Sequence, residues 1–161
     1  MVNKYLGVKL ICAQPMNRGE YNKFRGWTIP ENENPNDEGY LVKYSDDPSD
    51  EKAYISWSPK EVFENAYFKL EENPNKNSIS EGDVSRFIKS IVAEKIGEKT
   101  TLVTVTLING FEIIETSTCV DKENYDQIIG ADICVAKAKD KIWAYLGFML
   151  QAGLGGVKEN K

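Results

Sequence analysis

The sequence predicts an α+β protein made of two small modules, each a short antiparallel sheet with one or two helices, the second ending in a long C-terminal helix. Three observations lead there. Short β-branched or aromatic runs alternate with capped amphipathic stretches. Residues 71–78 (Glu-Glu-Asn-Pro-Asn-Lys-Asn-Ser) contain no apolar side chain and separate two hydrophobic patterns. Residues 100–119 read as a hairpin around Asn109-Gly110. The expected boundaries are 1–72 for the first module, 73–79 for a linker and 80–161 for the second.

The first module opens with an apolar strand over 6–13, stopped by Pro15. A polar-aromatic stretch over 18–27 follows, then a loop over 30–38 rich in Asn, Pro and Glu. Residues 40–44 and 53–57 read as two strands joined by the turn-forming Asp46-Asp47-Pro48-Ser49-Asp50. Ser58-Pro59-Lys60-Glu61 predicts a capping box with Pro at the first helical position, opening a helix over 59–70. Tyr54, Trp57, Phe63 and Tyr67 are expected in the core.

The second module begins with Ser80 three residues before Asp83, another capping signature. Val84, Ile88, Ile91, Val92 and Ile96 recur at helical spacing up to Gly97, so one helix is expected over this span. Residues 100–107 and 111–119 are expected as strands. The final helix is expected over about 124–150, with Ile129, Ile133, Ala136, Trp143, Leu146 and Leu150 on one face. Apolar side chains on other sides of it, Ile142, Tyr145 and Met149 among them, predict a homo-oligomer.

Composition narrows the chemistry. Among 161 residues there are 20 Lys+Arg, 25 Asp+Glu and no His, with 41% hydrophobic and 28% charged. A net charge of −5 argues against binding to DNA or RNA backbones. Without His there is no Ser-His or Cys-His pair and no common general base, so no enzyme is expected and no catalytic residue is assigned. Cys12, Cys119 and Cys134 are unclustered and flanked by apolar residues, which reads as small buried hydrophobes and not as a metal or disulfide framework. No apolar run reaches about 18 residues and no leader pattern follows Met1, so no membrane span and a cytoplasmic location are expected.

Two kinds of cluster stand out. Arg18, Tyr21, Arg25 and Trp27 interleave guanidiniums with aromatics, a combination that stacks on bases and neutralises phosphates, or equally packs as a surface turn. Lys137 and Lys141 lie one helical turn apart, spaced to grip a phosphate or simply to face solvent. Asp121, Glu123 and Asp126 read as helix caps, and no metal or cofactor is assigned.

The run Thr100-Thr-Leu-Val-Thr-Val-Thr-Leu-Ile-Asn-Gly-Phe111 is followed by Ser117-x-Cys119, Glu123-Asn-Tyr-Asp126, Gly130 and Lys141-Ile-Trp-x-x-Leu-Gly147. In that order and spacing, these resemble the gene-49/gene-66 family of small tailed-phage proteins over about residues 80–151. Arg18-Gly-Glu-Tyr21, Arg25-Gly-Trp27 and Ser56-Trp-Ser-Pro-Lys-Glu-Val-Phe63 resemble another small phage module. The resemblance implies a phage or prophage protein acting in the bacterial host cytoplasm, related to Thoeris anti-defence sponges that hold nucleotide-derived alarm signals without turnover. If the chain is such a sponge, the residues expected to bind the ligand are Arg18, Arg25, Trp27, Asn109, Phe111, Lys137 and Lys141. Trp27 or Phe111 would stack on a base, the cations would meet phosphates, and Asn109 would bond a base or ribose edge unless it is only a turn residue. The family pattern also has two basic residues at the start of the last helix, where this chain has Ala131 and Val135. The alternative expectation is a module that occupies a host protein through its acidic, aromatic-rich surface.

Overall fold

The computed structural model describes residues 2–71 and 77–157. The chain divides into two units, Met1–Lys69 with Gln151–Lys161, and Leu70–Leu150. Most of the expected linker, residues 73–76, lies outside the described residues.

In the first unit, β1 (Cys12–Pro15), β2 (Gly39–Lys43) and β3 (Ile55–Pro59) form an antiparallel sheet in that order. The strand expected over 6–13 is shorter and later. Residues before Cys12 run past the point where β2 ends at Lys43, so they have no ladder partner. Pro15 sits on an edge strand, where its missing N–H costs no ladder bond. The stretch over 18–27 contains a helix, α1 (Arg18–Phe24), with a full capping box between Asn17 and Glu20. Tyr21, Asn22 and Val42 are buried here, and the Trp57 indole donates to the Met16 carbonyl at 2.8 Å. Tyr54, expected inside, is 73% exposed.

The second helix, α2 (Lys60–Ala66), is shorter than expected and is capped by Pro59 without a side-chain bond. Ser58 belongs to β3 opposite Tyr40, so its hydroxyl is not placed at the helix N-terminus. Tyr67 is already extended, which ends the helix. Phe63 stacks on Tyr40 at 4.1 Å and on Tyr67 at 4.8 Å between ring centroids.

In the second unit the Ser80–Asp83 capping box forms, but its helix, α3 (Glu81–Arg86), has only six residues. Ile88, Ile91, Val92 and Ile96 belong to a strand, β4 (Ile88–Ile96), and not to the helix their spacing predicts. Their β-branched side chains suit a pleated surface, and β5 (Thr100–Leu107) supplies the ladder. β6 (Glu112–Thr118) completes an antiparallel sheet in the order β4-β5-β6. The β5–β6 turn has three residues and not two. The Leu107 amide donates to the Phe111 carbonyl at 2.8 Å. Gly110 takes a left-handed φ of 83°, as such a loop requires.

A 3₁₀ turn (Lys122–Asn124) leads into α4 (Gln127–Gly155). The buried ridge of α4 is Gly130, Cys134, Ala138, Ile142 and Leu146, each one turn from the next. The face expected from Ile129, Ile133 and Trp143 is instead 60%, 43% and 39% exposed. Small residues win the inner face because they let the helix backbone approach the sheet. The ridge closes on Thr101, Val103, Val105 and Leu107 of β5, together with Val84, Phe87 and Ile113. Within this unit α4 crosses the sheet from one edge to the other. The Gln127 amide reaches the Ala93 carbonyl of β4 at 3.3 Å, and ten residues later Lys137 reaches the Thr116 carbonyl of β6 at 3.0 Å.

Candidate functional site

Side chains from the β5–β6 hairpin and from the final helix converge on the flank where α4 runs along β6. Lys137, Lys141 and Tyr145 lie at successive i+4 positions, so their side chains form one stripe. Lys137 donates to the Thr116 carbonyl, and Lys141 forms an ion pair with Glu115. The hydrogen bond to Glu115 outweighs burial and raises the Lys141 pKa, so its ammonium is kept charged. At the end of the stripe the Phe111 ring meets Tyr145 edge-on, with centroids 5.8 Å apart and planes at 86°, a favoured aromatic geometry. Phe111 remains 54% exposed. Asn109 accepts the Phe111 amide at 3.0 Å, a local bond that sets the turn.

Four of the seven residues expected to bind ligand (Asn109, Phe111, Lys137 and Lys141) are thus gathered on or beside one flank. Tyr145 joins them, having been legible only as an apolar helix residue. Its spacing from Lys141 was the available signal.

The other three belong to the first unit. Arg18 forms a fork with Glu33, through Nε and Nη2 at 2.7 and 2.6 Å, and Asn22 donates to the same carboxylate at 3.1 Å. These bonds, Arg18 first, pull the Glu33 carboxyl down to about 2, because each favours the charged form. The Arg18 guanidinium also stands 5.1 Å from the Trp57 ring and 5.9 Å from Tyr21, within cation–π range of both. Tyr21 meets Trp27 edge-on at 6.0 Å, and Arg25 covers Trp27 at 4.7 Å. Arg18, Arg25 and Trp27 are therefore members of one cation–aromatic series.

Each unit also holds a cavity that the sequence did not indicate. In the first unit about 500 Å³ is bounded by Met16, Glu20, Glu38, Tyr40, Lys60 and Glu64, among others. Lys60 pairs with Glu38 at 2.6 Å and the Tyr40 hydroxyl donates to Glu64 at 2.9 Å. In the second unit about 120 Å³ lies against Lys99, Thr101, Ser117, Cys119, Tyr125 and Gly130. No expected ligand-binding residue lines either cavity.

The acidic group after β6 is taken up by capping. Asp121 accepts the Glu123 amide at 3.0 Å. Asp126 accepts the amides of Ile128 and Ile129 at 2.8 and 3.2 Å. Among the described residues, no group of three or more His, Cys, Asp or Glu is placed to hold a metal ion. Ala131 and Val135 are half-buried on α4, apart from the exposed Lys137 and Lys141. No described helix is long and apolar enough to cross a membrane.

Comparison with known proteins agrees with the motifs. The model of the family described as Phage protein (N4 Gp49/phage Sf6 gene 66) matches residues 60–154, more than half of the chain. That span begins at α2, earlier than the motifs alone indicate, and reaches nearly to the end of α4. Neither the curated proteins nor the solved structures contain a significant match.

Proposed function

Since the chain belongs to this family of phage proteins, we propose that it is an anti-defence protein that sequesters a nucleotide-derived immune signal of the bacterial host. The signal class is a cyclic ADP-ribose isomer or a cyclic oligonucleotide, held without turnover in the bacterial cytoplasm. The observation that carries this reading is the Lys137–Lys141–Tyr145 stripe with Phe111 against its end. It offers an exposed ring face for a base and two ammoniums one turn apart for phosphates. Lys141 is half-exposed while its partner Glu115 is only 13% exposed, so a phosphate would share the ammonium with the carboxylate and not release it from a partner that is costly to leave unpaired. Sequestration requires no general base, which fits a chain without His.

The test is thermal unfolding of the full chain against cyclic dinucleotides, cyclic trinucleotides and cyclic ADP-ribose isomers. A bound ligand at 100 times its Kd raises native-state stability by about 2.7 kcal/mol. One class should shift the midpoint by several degrees, and heat should release that ligand intact. Phe111→Ala and Lys141→Ala should each abolish most of the shift. A hydrolysed product would identify an enzyme, and a flat panel with cooperative unfolding would remove the reading.

A second reading rests on a different observation. Ile128 and Phe148 of α4 are 73% and 76% exposed. Such apolar anchors suit a host protein surface. Retention of one stoichiometric host protein, lost in Phe148→Asp, would support it over the first.

A further inference from the structure

We propose that residues 2–7 form an arm that docks on the uncovered face of the β4-β5-β6 sheet of a second copy of this chain. The arm runs into the strand expected over 6–13, whose first residues its own sheet leaves without a ladder partner. β2 stops pairing at Lys43, opposite Cys12, and the chain then turns away through Ser45 and Asp47. Leu10 is tied to the Gly153 carbonyl at 3.1 Å, but further back Val2, Tyr5 and Leu6 are 99%, 89% and 93% exposed.

The acceptor is defined by strand register. Val92, Thr104 and Ile114 lie side by side across β4, β5 and β6 on the face away from α4. Val92 and Ile114 are 54% and 58% exposed, and Ile96 on the same face is 48% exposed. With α4 covering only the other side, β-branched apolar side chains flank a central threonine row on this face. A chain segment laid on it would bury Val2, Tyr5 and Leu6, each of which gains from leaving water.

Charge selects the pairing. At its paired positions the uncovered face carries Glu94 and Glu112 and no Lys or Arg, whereas residues 2–7 carry Lys4 and no carboxylate. Lys9, just beyond the arm, adds a second cation and lies 5.4 Å from the Tyr44 ring. Six extended residues span about 20 Å and three neighbouring strands about 10 Å, so the arm can cover the row in one pass.

The experiment is molar mass by light scattering and sedimentation, from low to high micromolar chain. The full chain should exceed monomer mass in a concentration-dependent way. Deleting residues 2–7 and, separately, Ile114→Lys should both return monomers, with unchanged circular dichroism and the unfolding midpoint that the full chain has at its lowest concentration. Lys4→Glu should weaken association about tenfold, and adding Glu94→Lys with Glu112→Lys should restore it. That reciprocal rescue would not follow from misfolding. A monomeric full chain, or association that survives deletion of the arm, would overturn the proposal. Signal binding by the β6–α4 flank is measured separately and stands or falls independently.

Discussion

Gly130 of α4 lies directly on Thr101 of β5: a Cβ added to the glycine would stand 2.8 Å from the threonine Cβ and closer still to its hydroxyl. Thr101 is fully buried and its hydroxyl is bonded to the Tyr125 hydroxyl at 3.1 Å, so it has nowhere to move. Gly130→Ala should therefore destabilise the protein by about 1–3 kcal/mol through overpacking. Urea unfolding measures it. Adding Thr101→Ala should recover part of the loss, and a Gly130→Ala protein as stable as the parent would show that the helix can lift freely.

Acid should act early on the first unit. The Arg18 fork holds the Glu33 carboxyl near 2 against an ordinary 4.5. A group depressed on folding contributes stability above its unfolded value and loses it as pH falls through the window from about 4.5 to 2. Glu33→Gln should remove that part of the acid dependence and lower the neutral-pH midpoint, because the ionised carboxyl contributes its stability there and the pair is only about a quarter exposed. Carboxyl carbon titration by NMR checks the assignment directly.

The cap of α3 gives an ordered pair of variants. Burial alone would raise the Asp83 carboxyl, but amides of Ser80 and Glu71, the Ser80 hydroxyl and Arg86 outweigh it and hold it below its usual value. Ser80→Ala loses the cap bond from the Asp83 amide and the exposed bond that the hydroxyl donates to Glu71, and should cost about 1 kcal/mol. Asp83→Ala leaves the Ser80 and Glu71 amides without their acceptor. That loss should cost about 2–3 kcal/mol. Denaturant midpoints that reverse this order would remove the buried carboxylate from its place as the centre of the cap.

The thiols should separate by access. Cys134 is fully buried on the inner face of α4, and desolvation raises its pKa, which removes thiolate as well as access. In the native protein a chromogenic disulfide reagent should leave Cys134 unmodified, whereas unfolding should expose all three cysteines. Stoichiometric native labelling at Cys134, located by mass spectrometry, would contradict the buried ridge.

How much of this the sequence disclosed depended on whether a local signal had a rival. Ser80 with Asp83 had none and was legible, as were the alternating β5 residues and the α+β class. Ile88, Ile91, Val92 and Ile96 fit a helix at 3.6 residues per turn as well as a strand, and the density of β-branched residues should have decided between them. Ser58 had the cap spacing but was claimed by pairing with Tyr40, which no local pattern reveals. Asn17 and Glu20 did carry a cap signature, and α1 could have been read from it. The inner face of α4 was hidden because burial went to Gly130, Cys134 and Ala138, which a search for large apolar residues passes over. Of the candidate site, the i+4 spacing of Lys137 and Lys141 was visible. Their meeting with Thr116 and Glu115, and that of Tyr145 with Phe111, depends on strand register across the hairpin, which spacing along one helix does not contain.

The position of α4 also bears on synthesis in the cell. Its side chains block a carbonyl on each outer strand, at Ala93 and Thr116. Yet the ribosome finishes β6 before it begins that helix. At about 5–20 residues per second, the roughly 40 residues from the end of β6 to the end of α4 take about 2–8 s to add. Until α4 has emerged and packed, a nascent sheet has both borders open beside identical chains on the same message. Crowded translation, more than the finished protein, is where this sequence is most exposed to joining the wrong strand.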